Sequence, residues 1–166
     1  MPSTKAIHID VIVEDTSWSK ARLGVKTFFP AVLEAAFKSL PVKPKSPLDV
    51  SITLTNDKTI KILNRDHRGK NKPTNVLSFP LWESIGDIPS GSEAVPLGDI
   101  IIAYETMAKE ATEQNKKLKD HMAHMLVHGF LHLLGYDHMN DQEAEKMEKL
   151  EVKILKKLDI KDPYTI

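Results

Sequence analysis

Apolar and polar residues alternate near the start of the chain. Ile7, Ile9 and Val11 flank His8 and Asp10, the period-two pattern of a half-buried strand, and Ile12 and Val13 blur it at its end. Phe28, Val32, Ala35, Ala36 and Leu40 form an apolar stripe that predicts a helix over about 18–40, with Pro30 as a kink or break inside it. Residues 41–47 hold three prolines and read as a connector. Alternation returns at Leu48, Val50, Ile52 and Leu54, a second strand. Asn56 or Asp57 can cap a short helix carrying Ile60, Leu63 and Asn64. Residues 68–74 are polar and read as a loop, 75–79 as a short strand stopped by Pro80, and 82–96 as a longer surface loop. Residues 97–104 are the most continuous apolar strand.

Three helices are predicted after it. The first covers about 104–117. The second covers about 119–134, with Asp120 or a neighbour as its cap and Gly135 closing it at a left-handed position. The third covers about 141–158, where Ala144, Met147, Leu150, Ile154, Leu155 and Leu158 recur at helical spacing. The order is β-α-β-α-β-β-α-α-α. It predicts an α+β fold, a small mixed sheet of about four strands covered by helices, as a single domain over residues 1–166.

Composition narrows the function. Lys plus Arg (23) balance Asp plus Glu (23), which argues against a strongly basic nucleic-acid-coating protein but not against a local basic patch. There is no cysteine, which removes disulfides, thiolate metal sites and a cysteine nucleophile. No signal peptide pattern and no apolar run of membrane-spanning length is visible, so the expected location is the cytoplasm, without membrane association.

Five histidines, His121, His124, His128, His132 and His138, crowd into a short stretch. His128 and His132 are four apart on a predicted helix, so their side chains stand nearly one above the other, separated by roughly 6 Å of rise. Two imidazoles so placed can reach one metal ion. A glycine at 135 lets the chain turn back and bring His138 to the same point. Three neutral nitrogen ligands with a fourth position open suit one catalytic zinc ion, a zincin-like site on a helix and its following turn. The offsets are those of the long metzincin motif H-E-x-x-H-x-x-G-x-x-H, except that Gly129 stands where peptidases carry their glutamate base. His124 reads either as a partner or alternative ligand to this group or, the plainer reading, as a partly buried polar residue. His121 reads as surface and Tyr136 as packing. Asp137 is an orienting carboxylate, a base toward the metal-bound water, or a turn residue.

Residues 58–72 carry Lys58, Lys61, Arg65, Arg68, Lys70 and Lys72 against one acid, Asp66. This is either an ordinary solvated surface or a clamp in which Arg68 offers its planar fork to phosphate.

The run His128-Gly129-Phe130-Leu131-His132-Leu133-Leu134-Gly135-Tyr136-Asp137-His138 resembles the signature of the YbeY family of bacterial endoribonucleases and rRNA maturation factors. Residues 68–80 resemble its basic loop and following strand, and Leu97-Gly98-Asp99-Ile100 its third short motif. The resemblance implies a single-strand-specific, metal-dependent endoribonuclease acting at the 3′ end of small-subunit 16S rRNA and in ribosome quality control. It implies zinc at the positions of His128, His132 and His138, catalytic roles for Arg68 and His128, and small-subunit proteins and an assembly GTPase as partners. A zincin-like metallopeptidase and a non-catalytic, zinc-stabilised assembly factor are the competing readings.

Overall fold

The computed structural model describes residues 6–137 and 139–164. Four strands form one sheet: β1 (Ile7–Val13), β2 (Leu48–Thr55), β3 (Val76–Pro80) and β4 (Val95–Ala103). The spatial order is β1-β2-β4-β3. β1 runs parallel to β2 (Ile7 opposite Leu48) and β2 parallel to β4 (Ile52 opposite Ile100), while β3 runs antiparallel to β4 (Ser78 opposite Ile100). This is the small mixed sheet of an α+β protein.

Six α-helices complete it: α1 (Thr16–Ala21), α2 (Phe28–Ser39), α3 (Asp57–Arg68), α4 (Tyr104–Glu113), α5 (Leu118–Leu133) and α6 (Asp141–Lys157). They sit on both faces. Ile100 and Ile102 of β4 point into the main core with Phe29, Leu33, Phe130 and Ile154. Ile101, with Leu77 and Phe79, points to the other face and packs under Ile60 and Leu63 of α3. The period of two along β4 therefore separates two apolar layers.

α5 is the central element. It packs against α2, α4, α6, β3 and β4. From His121 to Leu134 every residue is buried except His128 and His132. A helix apolar on nearly all sides is a core helix. Its four-residue spacing leaves one narrow open stripe, and the two histidines occupy it.

Several sequence expectations are corrected. The helix expected over 18–40 is two helices. α1 ends where Arg22 adopts a left-handed conformation (φ 50°), and α2 starts only at Phe28. Pro30 then falls in the first turn of α2, where the missing N–H costs no helical hydrogen bond, so it neither kinks nor breaks the helix. Arg68 is the last residue of α3 rather than the first of a loop, and Gly69 closes the helix at φ 70°. α4 stops at Glu113, four residues short of expectation. The N-cap of α5 is Lys117, with no side-chain cap bond, not Asp120. Pro80 is the final residue of β3 rather than its stop. It is tolerated because β3 is an edge strand with one unpaired side.

Gly98, in the third short motif, explains how β3 and β4 pair. Its φ is 143°, and a Cβ there would lie 2.3 Å from the Phe79 carbonyl oxygen and 2.9 Å from Leu133. Only glycine permits this approach, next to the register shift in which Val50 pairs with Gly98.

Candidate active site

His128 and His132 project from the open stripe of α5, and their Nε2 atoms face each other at 3.0 Å. Two nitrogens bound at 2.0–2.1 Å to one tetrahedral ion stand about 3.3 Å apart. The pair therefore fits two corners of a zinc site to within a few tenths of an ångström, and neutral imidazole is the donor type zinc favours. Past Leu133 the chain turns at Gly135 (φ 95°), packed so closely on the 83–84 backbone that a Cβ would lie 2.7 Å from the Glu83 carbonyl oxygen. The turn expected at this glycine is present. His138, expected as the third ligand, lies outside the described residues. Among the described residues no cluster of three or more His, Cys, Asp or Glu is positioned to hold a metal.

Behind the pair stands a carboxylate. Glu151 of α6 is fully buried (0% side-chain exposure) and accepts from His128 Nδ1 at 2.7 Å through Oε2 and from His124 Nε2 at 3.1 Å through Oε1. The Tyr164 hydroxyl donates to the same Oε1. Burial alone pushes the Glu151 carboxyl up. Hydrogen bonds from His124 and His128, then the charge on His124 and the Tyr164 hydroxyl, outweigh that effect and hold it down at about 2. Tyr164 responds in the opposite sense: burial first, then the neighbouring carboxylate, push its hydroxyl well above the usual range.

His124 is thus a partner of the carboxylate beside His128, on the same face one turn earlier. His121 is corrected from surface to core. It is 2% exposed, with Nε2 at 2.9 Å from Glu110 Oε1, because α4 and α5 pack across it. Sequence reasoning missed Glu151 and Tyr164. A signal for Glu151 was present: Met147, Leu150, Glu151, Ile154 and Leu155 form one buried face of α6, and an acid inside an apolar stripe needs buried partners.

The histidines open onto a cleft of about 800 Å³. Its walls include Arg68 at the end of α3, the edge strand residues Ser78 and Phe79, Trp82, Tyr136 and Asp137. Arg68 from one part of the sequence and His128, His132 and Asp137 from another therefore share one cavity. His67 stacks edge-on against Phe79 at 5.0 Å, which fixes the last turn of α3 against β3. The helix expected to start at Asn56 or Asp57 runs on to Arg68, and Lys58, Lys61, Arg65 and Arg68 recur at spacings of three and four along the exposed side of α3 and end at the cleft.

Gly129 has a steric reason. A Cβ there would lie 3.1 Å from Ile100 Cγ2 and 3.2 Å from Ser78 Oγ, so the position faces the sheet. Any side chain at this position must push these neighbours aside by a few tenths of an ångström.

An α+β domain with paired imidazoles and a guanidinium on one cleft has the groups to hold a metal ion beside an anionic substrate. Comparison with known proteins makes the class specific. Residues 12–159 match the YbeY family, described as Endoribonuclease YbeY. An Endoribonuclease YbeY from Azorhizobium caulinodans is 47% identical over 160 residues, covering 96% of this chain and 98% of that one. Those of Sinorhizobium medicae (43%) and Agrobacterium fabrum (44%) each cover 96% of this chain and 95% of their own length. The solution structure of TM1509 from Thermotoga maritima, 24% identical, shares the fold with a TM-score of 0.54 over 96% of this chain and all of that one. The chain belongs to the YbeY family.

Proposed function

We propose that the cleft is the active site of a single-strand-specific, metal-dependent endoribonuclease that processes ribosomal RNA. Its proposed tasks are maturation of the 3′ end of small-subunit 16S rRNA and ribosome quality control, in the cytoplasm, alongside small-subunit proteins and an assembly GTPase. Family membership supports the RNA-cleaving activity. The observation that carries the assignment to this site is the convergence of Arg68 with His128 and His132 on one cleft. Among the described residues no helix is long and apolar enough to cross a membrane.

His128, His132 and His138 are the residues proposed to hold one zinc ion, which when bound supplies Lewis-acid activation of water at neutral pH and neutralises phosphate charge. The chain's own residues do the rest. Arg68 presents a planar fork that pairs with two phosphate oxygens and stabilises charge growing on the phosphorus centre. Lys70 and Lys72, just beyond α3, add positive charge beside it. Upstream, the Lys58–Lys61–Arg65 stripe gives a flexible strand a track leading to Arg68. A single strand can follow it with its bases unstacked, whereas a duplex presents a rigid cylinder. Trp82 and Tyr136 also line the cleft, where such bases would lie.

The test is cleavage of single-stranded RNA by purified protein, with a chelator and metal add-back, and with His132→Ala purified in parallel against contaminating nuclease. Arg68→Glu is expected to melt within a degree or two of wild type, because Arg68 is exposed at a helix end, and to lose cleavage at least 100-fold. Normal cleavage by Arg68→Glu would remove the arginine clamp. The product ends identify the nucleophile: a 2′,3′-cyclic phosphate means that the ribose hydroxyl attacked.

A further inference from the structure

We infer that Glu151 is a positioning residue that fixes which nitrogen of His128 faces the cleft. The inference deepens the reading above, since it takes His128 as a metal ligand, but its first step does not depend on that role.

An ionised carboxylate can only accept hydrogen bonds. Its Oε2 lies 2.7 Å from His128 Nδ1, so that nitrogen must be the donor. A neutral imidazole has a single N–H. Nε2 of His128 is then left with its lone pair, and it points to where His132 Nε2 stands 3.0 Å away. Glu151 thereby selects the tautomer and the ring rotation that present a lone pair to the cleft. A carboxylate on the outer nitrogen also makes the imidazole a stronger donor.

The surroundings of Glu151 show that it is held in place rather than adventitious. It is 0% exposed on a face of α6 otherwise made of Met147, Leu150, Ile154 and Leu155. A buried carboxylate costs several kcal/mol unless its oxygens are satisfied. Oε1 is taken by His124 and Tyr164, which leaves Oε2 for His128. His124 Nδ1 has no hydrogen-bond partner among the described residues, so this imidazole is spent, through Nε2, on Glu151 and on the Tyr164 hydroxyl at 3.2 Å. Tyr164, whose own N–H is tied to Asp162 Oδ1 at 2.8 Å, brings the C-terminal segment to the same carboxylate. The residue that orients a histidine of α5 is thus supplied and braced from two later parts of the chain.

The experiment uses the metal-free, full-length protein labelled with 15N, at mildly alkaline pH. Two-bond 1H–15N correlations of the His128 ring, assigned with His128→Gln, report its tautomer. The expected result is an N–H at Nδ1 and a lone pair at Nε2 in wild type, and loss of that preference in Glu151→Gln. Zinc affinity is then measured by competition with a chelating dye. Glu151→Gln is expected to bind 10- to 100-fold more weakly than wild type. Wild type carrying its proton on Nε2 overturns the inference, and this reading needs no variant to fold. A folded Glu151→Gln that binds zinc within twofold of wild type overturns it as well. Zinc binding unchanged by His132→Ala overturns instead the ligand reading on which the second half rests, while the tautomer measurement still decides the first.

Discussion

At the scale of single residues, the site is built from positions whose neighbours leave little choice. Gly129 lies where α5 crosses Ile100 and Ser78. Gly129→Ala gains about 1 kcal/mol of helix propensity but must push Ile100 and Ser78 apart by a few tenths of an ångström, so its net effect is small. Gly129→Glu places an unpaired charge between the helix and the sheet and is expected to destabilise the fold by about 3–5 kcal/mol, read from urea unfolding. A Gly129→Glu protein as stable as wild type would show that α5 can lift from the sheet. His121 makes a different prediction. Burial lowers its pKa, and the hydrogen bond and charge of Glu110 oppose that only in part. His124 and Lys116 also face it and push the same way as burial. The unfolded chain therefore takes up a proton at His121 at higher pH than the folded one. The stability contribution is complete above about pH 6.5 and is lost as pH falls from there toward the lowered folded value. His121→Gln is expected to flatten that loss in unfolding measurements between neutral and mildly acidic pH. An unchanged slope would place the titration elsewhere.

At the scale of elements, α5 and α3 divide the work. α5 is buried on every side but one, so a side chain reaching the cleft must come from that stripe, and rigid burial holds the imidazoles in register. α3 is the reverse, with Ile60 and Asn64 buried on one side and cations on the other. Its acidic start at Asp57 and basic end at Arg65, His67 and Arg68 suit the helix dipole. If RNA follows the basic stripe, the double change Lys61→Glu and Arg65→Glu weakens binding of every single-stranded sequence alike. The slope of log K against log salt should become shallower by about 0.7 for each phosphate that the protein no longer neutralises. Thermal stability should hardly move, because both residues are exposed and the ion pair that is removed, Arg65 with Asp66, lies at the surface. An unchanged salt slope would take the strand off α3.

At the scale of the whole molecule, the cleft exists only because α3, α5, the β3 edge and the turn after α5 meet. A metal held by His128, His132 and His138 binds the folded chain and not the unfolded one, so it must stabilise the whole fold. Zinc at about a hundred times its dissociation constant is expected to add about 2.7 kcal/mol, and to raise the melting temperature by about 5–10 °C. The increment should vanish in His128→Ala combined with His132→Ala. A melting temperature indifferent to zinc in wild type would argue against a metal at these residues.

Much of this organisation could be read along the chain, and some of it could not. Hydrophobic period located four strands and most of the helices, because one face of each is buried and the spacing of apolar residues records it. The offset of four between His128 and His132 was enough to place both on one side of α5, since helical geometry is local. The break between α1 and α2 escaped, because Pro30 is harmless at a helix start and only the backbone shows where the helix begins. His121 looked like a surface residue until α4 packed over it. Arg68 could be singled out as basic, but its place on the same cleft as the histidines depends on how α3 leans on β3. Glu151 and Tyr164 depended on tertiary structure entirely: they lie 23 and 36 positions beyond His128, and no local rule joins them. Local periodicity determined which residues could present imidazoles on one face. Long-range packing decided which carboxylate stands behind them and which arginine faces them, because burial, unlike helical spacing, is a property of the assembled molecule.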